Sequence, residues 1–446
     1  MPALAPTAFR YAHFVPRISI IVPAHDAADT IEETLASALA QTERDLEVVV
    51  VDDGSRDETA AIVERVAQRD RRVRLLRQQR SGVAAARNAA LAASDGEFVA
   101  PLDADDLWAP AKLERQRERF ARASRRVGLV YAWTIVVDEA GRSIQRAPAW
   151  RAERYVLPML ATFHFLGSAS CPLIPRRVLE EVGGYDTSLR AENAQGCEDW
   201  DLALRIAERY EFALTPAYLV GYRRRTGSMS SDGTAMWRSY ERVMARVAKS
   251  HPELPAELSR WSRSQFQLYL ATLSVGRDDT RRALGWAGRS IQTDPLLLLS
   301  RDHRAALLDV SARALLEPWL ALRGTRPRAW LEVVAARYRA ARSPLRRQPH
   351  PDAEIQYPWS DAPWSIHGRV CRARWRAAER YAARVWFPAS DPGPADPAGA
   401  NTARVNADAC DDAGVSAPAP LAEAAEAPLA VALEAASASV LPVRWR

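Results

Sequence analysis

The fold of this chain is decided by the stretch from Glu97 to Asp106, which reads EFVAPLDADD. Its first half is an apolar run that predicts a buried strand, and its second half places three acids in four positions. Residues two apart in an extended segment point to the same side, so Asp103 and Asp105 can face one point. Crowded carboxylates repel each other unless a positive charge lies between them. The pair indicates a divalent cation that also carries substrate phosphates, with a solvated acidic turn that caps the next helix as the alternative.

The residues around this stretch alternate between strands and helices from Arg17 to about Phe120. Short apolar runs predict strands at 18–22, 47–51, 73–76 and 98–102, and the first helix between them begins at Thr30 with capping-box spacing. Apolar strands separated by helices favour an α/β fold with a parallel sheet covered on both faces. Ligands bind such sheets beyond the carboxyl ends of the strands. Polar motifs follow three of the strands, so we expect them to meet at one rim: Pro23–Asp26, Asp52–Ser55 and Asp103–Asp106.

These motifs resemble, in order and spacing, those of the family 2 glycosyltransferases. The matching segments are VPAHD at 22–26, VDDGS at 51–55, GVAAARN at 82–88, LDADD at 102–106, PAKLE at 110–114, GGYD at 183–186, EDWD at 198–201 and YRRRTGSMS at 222–230. The resemblance covers about residues 17 to 235. It implies a GT-A fold, which is a Rossmann-like, mostly parallel sheet with helices on both faces. It also implies a nucleotide-diphosphate sugar as the donor, with a UDP-sugar as the first choice.

The resemblance implies roles for residues around the nucleotide. Pro23 and Asp26 line the nucleotide pocket, and Asp53 accepts a hydrogen bond from the base. Relatives frequently carry Asn at the position of Asp26. Compared with that Asn, the Asp26 side chain keeps a hydrogen-bond acceptor but lacks a donor. Arg225 lies in the loop that closes over the diphosphate, where relatives often carry His. Arginine keeps the positive charge but cannot ligate a metal.

The resemblance also implies which residues hold the helix near the pocket and the metal. Gly82, Arg87 and Asn88 begin that helix and belong to the nucleotide-sugar site, although Arg87 equally fits a structural ion pair. Asp105 is the expected direct ligand of a divalent metal, Mn²⁺ or Mg²⁺. Asp103 is expected to contact the ribose or a metal-bound water.

The acceptor side is implied by the segment from Glu198 to Asp201. Acids in the first turn of a helix interact favourably with the positive end of its dipole, which favours the ionised form. An ionised carboxylate can take the proton of an attacking hydroxyl. Asp199 is therefore the expected general base, and Glu198 is expected to orient the base or the acceptor. The alternative is that both are simply charges at a helix start.

Composition agrees with an enzyme that works in a reducing compartment. The chain has 446 residues, 48% of them hydrophobic, and a formal net charge of +6. Its four cysteines are widely spaced, so neither a zinc site nor a disulfide framework is indicated. Neither a signal peptide nor a membrane span of ~18 apolar residues is visible. We expect a cytoplasmic protein.

The remaining chain carries fewer signals. We divide the sequence into an N-terminal arm (1–16), a GT-A domain (17–235), a helical basic region (236–348), an unassigned Trp- and Arg-rich segment (349–388) and an Ala-, Pro- and acid-rich tail (389–446). Arginines between 313 and 347 indicate either peripheral contact with an anionic membrane surface or a solvated face. Nothing indicates a nucleic-acid-binding module. The tail, with eight acids and three arginines, is predicted to be disordered.

Three classes of function remain open. The first is an inverting glycosyltransferase whose acceptor is a glycan, a lipid-linked sugar or another hydroxyl, in cell-surface or exopolysaccharide synthesis. The second is a catalytically inactive relative that binds a nucleotide-sugar or a glycan. The third is a nucleotidyltransferase, which usually carries a Gly-rich loop with a basic residue for a triphosphate. The segment from Val22 to Asp26 has no such loop.

Overall fold

The computed structural model describes residues 18–225, 232–275, 279–300 and 303–312. The N-terminal arm at 1–16, the segment at 349–388 and the tail at 389–446 lie outside these ranges. So do the basic stretch from Arg313 onward and residues 226–231, which include most of the expected closing loop.

The strands of the described residues are β1 (Ile18–Ala24), β2 (Leu46–Asp52), β3 (Val73–Arg77), β4 (Phe98–Pro101), β5 (Leu107–Trp108), β6 (Val127–Val137), β7 (Ser143–Arg146), β8 (Ile174–Pro175) and β9 (Glu211–Arg223). The helices are α1 (Ile31–Leu39), α2 (Thr59–Arg69), α3 (Val83–Ala92), α4 (Lys112–Ala121), α5 (Leu157–Leu160), α6 (Arg176–Val182), α7 (Ser188–Ala191), α8 (Glu198–Ala207), α9 (Gly233–Ser250), α10 (Ala256–Val275) and α11 (Thr280–Thr293). A 3₁₀ helix follows at Pro295–Leu299, and residues 303–312 are helical.

The predicted α/β sheet is present and has the order β3-β2-β1-β4-β8. Its first four strands are parallel, and the short β8 pairs antiparallel with β4. Every residue of β1 is buried. Neighbouring residues of β1 pack into different apolar clusters, with Ile20 and Val22 in one and Ile21 in the other. The sheet is therefore covered on both faces, which is why its strands read as continuous apolar runs.

A second sheet, with the order β5-β9-β6-β7, was not predicted from the sequence. Its two long strands, β6 and β9, run parallel with register shifts between Ala132 and Thr134. The short β5 directly follows the acidic stretch and pairs antiparallel with the end of β9, with Leu107 opposite Gly221. This pairing brings the end of β9 beside the acidic stretch.

The helices after residue 232 pack on the sheet domain. Met236, Tyr240, Val243 and Val247 of α9 are buried, as their helical spacing predicted. They belong to the same apolar cluster as Val49 of β2. Leu307 is also buried, whereas Leu308 is 65% exposed. Within the described residues, no helix combines the length and the apolar character that crossing a membrane requires.

The start of α1 differs from the predicted capping box. Thr30 occupies the N-cap position, but its side chain makes no capping hydrogen bond. Its hydroxyl instead lies 3.0 Å from the carbonyl oxygen of Ala104, to which it donates. Glu33, the expected second member of the box, pairs with Arg223 at the end of β9. The prediction of a capping box was wrong because both side chains bind residues that are distant in sequence.

Candidate active site

The carboxyl ends of β1, β2 and β4 open into a cleft of about 1090 Å³. Ten of the eleven site residues predicted from the sequence line it: Pro23, Asp26, Asp53, Gly82, Arg87, Asp103, Asp105, Glu198, Asp199 and Arg225. Asn88 is described by the structure but is not among the residues that line the cleft. The motifs therefore converge at one rim of the sheet.

The loop after β1 is held by the loop after β2. The backbone N–H of Asp26 donates to the Ser55 hydroxyl at 3.1 Å, and the Asp26 carboxylate accepts from the Arg56 N–H at 2.7 Å. The Ser55 N–H in turn donates to Asp52 at 3.0 Å. Asp26 has a φ of +46°, which Asp tolerates better than most residues. These bonds fix the loop that follows Pro23 and Ala24 at the end of β1.

Asp53 is buried and accepts three hydrogen bonds from the segment that leads into α3. The donors are the Gln78 side chain, the Ser81 N–H and the Gly82 N–H, at 2.7, 2.5 and 2.8 Å. Gly82 has a φ of +92°, and a Cβ there would lie 2.7 Å from Arg190. Asp53 thus anchors the start of α3 besides lining the cleft.

Arg87 and Asn88 of α3 bind protein groups. Arg87 is buried, pairs with Asp103 at 2.5 Å and lies 5.1 Å above the Tyr185 ring. The Asn88 amide donates to the carbonyl oxygen of Tyr185 and accepts from its N–H. A Cβ on Gly184 would lie 2.8 Å from the Asn88 oxygen, so a side chain there would disturb this contact. The structure places Asn88 in a backbone contact behind the cleft, and it places Arg87 in the ion pair that the sequence left open.

The acids after β4 have different environments. Burial is the main cause that raises the pKa of Asp105 to about 6, and the neighbouring Asp103 carboxylate contributes in the same direction. Burial raises the pKa of Asp106 well above its usual range. Asp106 accepts from the hydroxyls of Ser168 and Ser170, both at 2.7 Å, and is fully buried. Asp106 is therefore a structural anchor, and Asp103 and Asp105 face the cleft.

The three arginines from Arg223 to Arg225, at and after the end of β9, also have different environments. Arg223 is 2% exposed and binds the carbonyl oxygens of Asp105 and Glu139 at 2.8 and 2.7 Å. It pairs with Glu33 as well, at 2.5 Å. Arg225 lines the cleft and lies 3.4 Å from Asp29. Sequence reasoning singled out Arg225 and missed Arg223, which fixes the backbone of the acidic stretch.

The start of α8 carries the second set of acids. Burial raises the pKa of Glu198, whose carboxylate accepts from the Gly196 N–H at 2.9 Å. For this residue burial therefore outweighs the helix dipole, contrary to the sequence argument. Asp199 accepts from the Trp200 N–H at 2.8 Å. Its other oxygen lies 3.8 Å from Nε2 of His164.

His164 was not identified from the sequence. Its ring stacks on Trp200 with centroids 5.6 Å apart, and it lines the cleft. A single His between two Phe residues carries no motif. Its place next to Asp199 follows only from the packing of the loop after α5 on α8.

The helical region also contributes to the cleft. Ser262, Gln265, Phe266 and Tyr269 of α10 line it together with residues from the rim of the parallel sheet. The sequence shows no functional signal at Ala256–Val275, which form α10. Its helical periodicity indicated core packing, and that signal is the same for a face that lines a cleft.

The acids of the cleft fit a divalent cation. Among the described residues no three His, Cys, Asp or Glu side chains form a cluster that could hold a metal ion alone. Asp105, with Asp103 directly or through water, would supply the protein ligands, and substrate phosphates and water would supply the rest, as Mg²⁺ favours. A cation there would also offset the repulsion between the two carboxylates.

Comparison with known proteins agrees with this arrangement. Residues 19–183 match the family described as Glycosyl transferase family 2. The chondroitin synthase of Pasteurella multocida (strain Pm70) is 28% identical over 212 residues, which are 47% of this chain and 21% of that protein. The succinoglycan biosynthesis protein ExoO of Rhizobium meliloti (strain 1021) is 35% identical over 207 residues, 44% of this chain and 54% of that protein. The chain thus spans less than two thirds of each of these relatives.

A solved structure shows a weaker likeness. The mannosyltransferase PcManGT from Pyrobaculum calidifontis, in complex with GDP-Man and Mn²⁺, is 22% identical and superposes with a TM-score of 0.42 over 69% of this chain and 87% of that one. A score of this size carries no argument about the present site. The family match, the relatives and the parallel sheet with its ordered motifs agree with one another. Residues 19–183 of this chain are therefore similar to glycosyl transferase family 2.

Proposed function

We propose that this protein is an inverting glycosyltransferase that moves a sugar from a nucleotide-diphosphate sugar to an acceptor hydroxyl. The observation that carries the proposal is that Asp105, at the end of β4, and Asp199, at the start of α8, line one cleft. One acid is available for a cation and a diphosphate, and the other for an attacking hydroxyl. Transfer from an activated sugar requires both roles: one group must neutralise charge on the leaving diphosphate, and another must take the proton of the attacking hydroxyl.

The donor is proposed to lie along the rim of the parallel sheet. Pro23, Asp26 and Asp53 would contact the nucleoside, with a UDP-sugar as the donor to test first. A divalent cation, Mg²⁺ or Mn²⁺, would neutralise negative charge on the diphosphate when bound at Asp105. Arg225 adds a fixed positive charge that stabilises the leaving group as its charge develops.

Asp199 is proposed as the general base. Its carboxylate takes the proton of the acceptor hydroxyl, and the oxygen then attacks the anomeric carbon. The bond to the diphosphate breaks with its electron pair on the leaving oxygen. One displacement inverts the configuration at that carbon. Glu198 and His164 are proposed to orient the base or the acceptor, since His164 lies 3.8 Å from Asp199.

The acceptor is proposed to belong to a cell-surface or extracellular glycan. Two relatives are named for chondroitin synthesis and succinoglycan biosynthesis, which supports a polysaccharide product.

The deciding experiment measures nucleoside diphosphate release from a panel of UDP- and GDP-sugars with Mn²⁺, with and without sugar acceptors. We expect Asp199→Asn to lower turnover by ~10²–10⁴-fold, the usual contribution of a general base. Calorimetric affinity for the donor's nucleoside diphosphate should stay unchanged. Glu192→Gln is the matched control, because this acid pairs with Arg242 and is not among the residues that line the cleft.

Each other outcome points to a different function. Release of pyrophosphate would indicate a nucleotidyltransferase. Nucleotide-sugar binding without any release would indicate an inactive binding protein. Full turnover in Asp199→Asn would remove the base assignment, and a product that retains the donor's anomeric configuration by NMR would exclude inversion.

A further inference from the structure

One face of α10 forms part of the cleft wall. Ser262, Gln265, Phe266 and Tyr269 line the cleft and are spaced i, i+3, i+4 and i+7, which is a single helix face. This helix follows the part of the chain that matches the family, residues 19–183. The wall it forms therefore lies outside the residues that match the family.

Two aromatic rings on this side of the cleft are accessible. Tyr269 is 41% exposed, although it contacts the buried Phe266 with ring centroids 5.8 Å apart. Phe266 is itself stacked on Tyr240 at 4.4 Å, which makes a rigid support. Phe163, from the loop after α5, lines the same cleft and packs against Trp261 of α10 at 6.2 Å. Aromatic rings held on a rigid base present a flat apolar surface with a polar edge.

Polar groups accompany the rings. The Gln265 side-chain oxygen lies 2.7 Å from Nε2 of His303, and this contact orients the amide at the cleft surface. His164, next to Asp199, lines the same part of the cleft. Flat apolar surfaces beside a few oriented donors and acceptors suit a pyranose, which has an apolar C–H face and a ring of hydroxyls.

The volume of the cleft lies just above the usual range for one small-molecule ligand. A single small-molecule site usually measures ~300–1,000 Å³, and this cleft measures about 1090 Å³. The proposed donor residues lie at the carboxyl ends of the strands, so we expect a nucleotide-sugar bound there to leave the α10 face accessible.

We propose that the α10 face, together with Phe163, is the acceptor subsite and that it binds a sugar residue of a glycan. Tyr269 and Phe163 stack on that sugar, and Gln265 binds its hydroxyls. This inference rests on the proposed transferase function. It assigns the acceptor as a carbohydrate rather than a peptide or an isoprenyl phosphate.

The test compares wild type, Tyr269→Ala and Tyr269→Phe, with Arg263→Ala as the control. Arg263 is on α10 but outside the cleft wall, over the ring of Trp237. The probes are gluco-, galacto- and chito-oligosaccharides, a serine-containing peptide and a short isoprenyl phosphate. Transfer to each is measured with a donor on which the wild type acts, and oligosaccharide binding is followed by saturation-transfer NMR without donor.

We expect the wild type to use an oligosaccharide. Tyr269→Ala should raise the KM for that acceptor about tenfold, as expected from the loss of one aromatic stacking contact. Tyr269→Phe keeps the ring and should stay near wild type, as should Arg263→Ala. Donor hydrolysis without acceptor should be equal in the wild type and in the control Arg263→Ala, whose residue lies outside the cleft wall.

The subsite would be refuted by an unchanged acceptor KM in Tyr269→Ala, or by transfer only to the peptide or to the isoprenyl phosphate. In both cases the transferase function itself would survive. A wild type that neither hydrolyses nor transfers any donor would instead refute the proposed function, and this inference with it.

Discussion

The three consecutive arginines at the end of β9 have three different environments. Arg223 is 2% exposed, Arg224 is exposed and Arg225 lines the cleft. Only Arg223 belongs to β9, and Arg224 and Arg225 follow the end of the strand. The sequence shows only a basic run, because the groups that bind Arg223 come from Glu33, Asp105 and Glu139. Motif reasoning therefore missed Arg223, which fixes the backbone of the acidic stretch, whereas it singled out acids that line the cleft.

Asp105→Asn should remove metal-dependent nucleotide binding. The substitution keeps the size of the side chain but removes the charge that a cation needs. We expect the wild type to bind a nucleoside diphosphate more tightly with Mn²⁺ than with EDTA, and we expect the variant to show no difference. Isothermal calorimetry measures both. Asp106→Asn is not a suitable control, because that buried acid accepts hydrogen bonds from Ser168 and Ser170. Asp138→Asn is the control, because Asp138 is not among the residues that line the cleft. Equal metal dependence in variant and wild type would contradict the ligand assignment.

Lys112 should make stability depend on pH. Burial lowers the pKa of Lys112 to about 7, although its ammonium group lies 4.0 Å above the Trp108 ring. Between this pKa and the unfolded value of ~10.4, the unfolded chain binds more protons, so stability rises with pH. We expect Lys112→Met to remove a slope of up to about 1.4 kcal/mol per pH unit. Urea unfolding of both proteins from pH 7 to 9 measures it, and parallel stability curves would show that Lys112 stays charged in the fold.

At the scale of elements, the sequence predicted the parallel strands and their rim but not the second sheet. Strands such as β1 are buried on both faces, and a continuous apolar run reports that directly. β9 is different, since it pairs with β6 and β5 across long separations and with register shifts. Turn motifs and apolar periodicity describe local structure, so neither of them specifies such a pairing. Local patterns likewise do not show which elements lie next to α10, so the sequence did not predict that α10 lines the cleft.

The contact between α1 and the end of β9 should stabilise both the fold and the site. Arg223→Gln leaves Glu33 and two carbonyl groups without their cation. Loss of one partner of a buried ion pair costs about 3 kcal/mol, and the partial exposure of Glu33 makes this an upper value. We expect urea unfolding to show this loss and Mn²⁺-dependent nucleotide affinity to fall as well. Glu33→Gln should reproduce part of the effect, and a double-mutant cycle should show coupling. Additive effects would mean that the two residues act separately.

At the scale of the whole molecule, the sheet domain and the helices after residue 232 share one apolar core. Tyr240 and Phe266 of the helices contact Trp200 of α8, with ring centroids 5.8 and 5.9 Å apart. The division at residue 235, drawn from where the motifs end, therefore follows sequence resemblance and not a gap in packing. The domain boundaries at both ends of the chain stay predictions.

Truncations should separate these regions. A chain that stops at residue 225 loses the helices and exposes Trp200 and its neighbours, so we expect aggregation or a large loss of thermal stability. A chain that stops at Pro388 lacks only the tail whose composition predicts disorder, so it should keep the melting temperature and donor turnover of the full chain. Differential scanning fluorimetry and the release assay measure both. A stable, soluble 1–225 fragment would contradict the shared core, and an inactive 1–388 fragment would contradict the prediction that the tail is disordered and dispensable.

The contact of Arg223 with Glu33 and Asp105 also constrains the order in which the protein folds. Its partners are 190 and 118 residues earlier in the chain. Closing long loops costs entropy before the contact can form, and such non-local contacts slow folding. During synthesis, β1 to β4 emerge first and can pair, but the loop that carries Asp105 gains its final anchor only after residue 223 has left the ribosome. Sheet formation and maturation of the active site are therefore expected to be separate kinetic events.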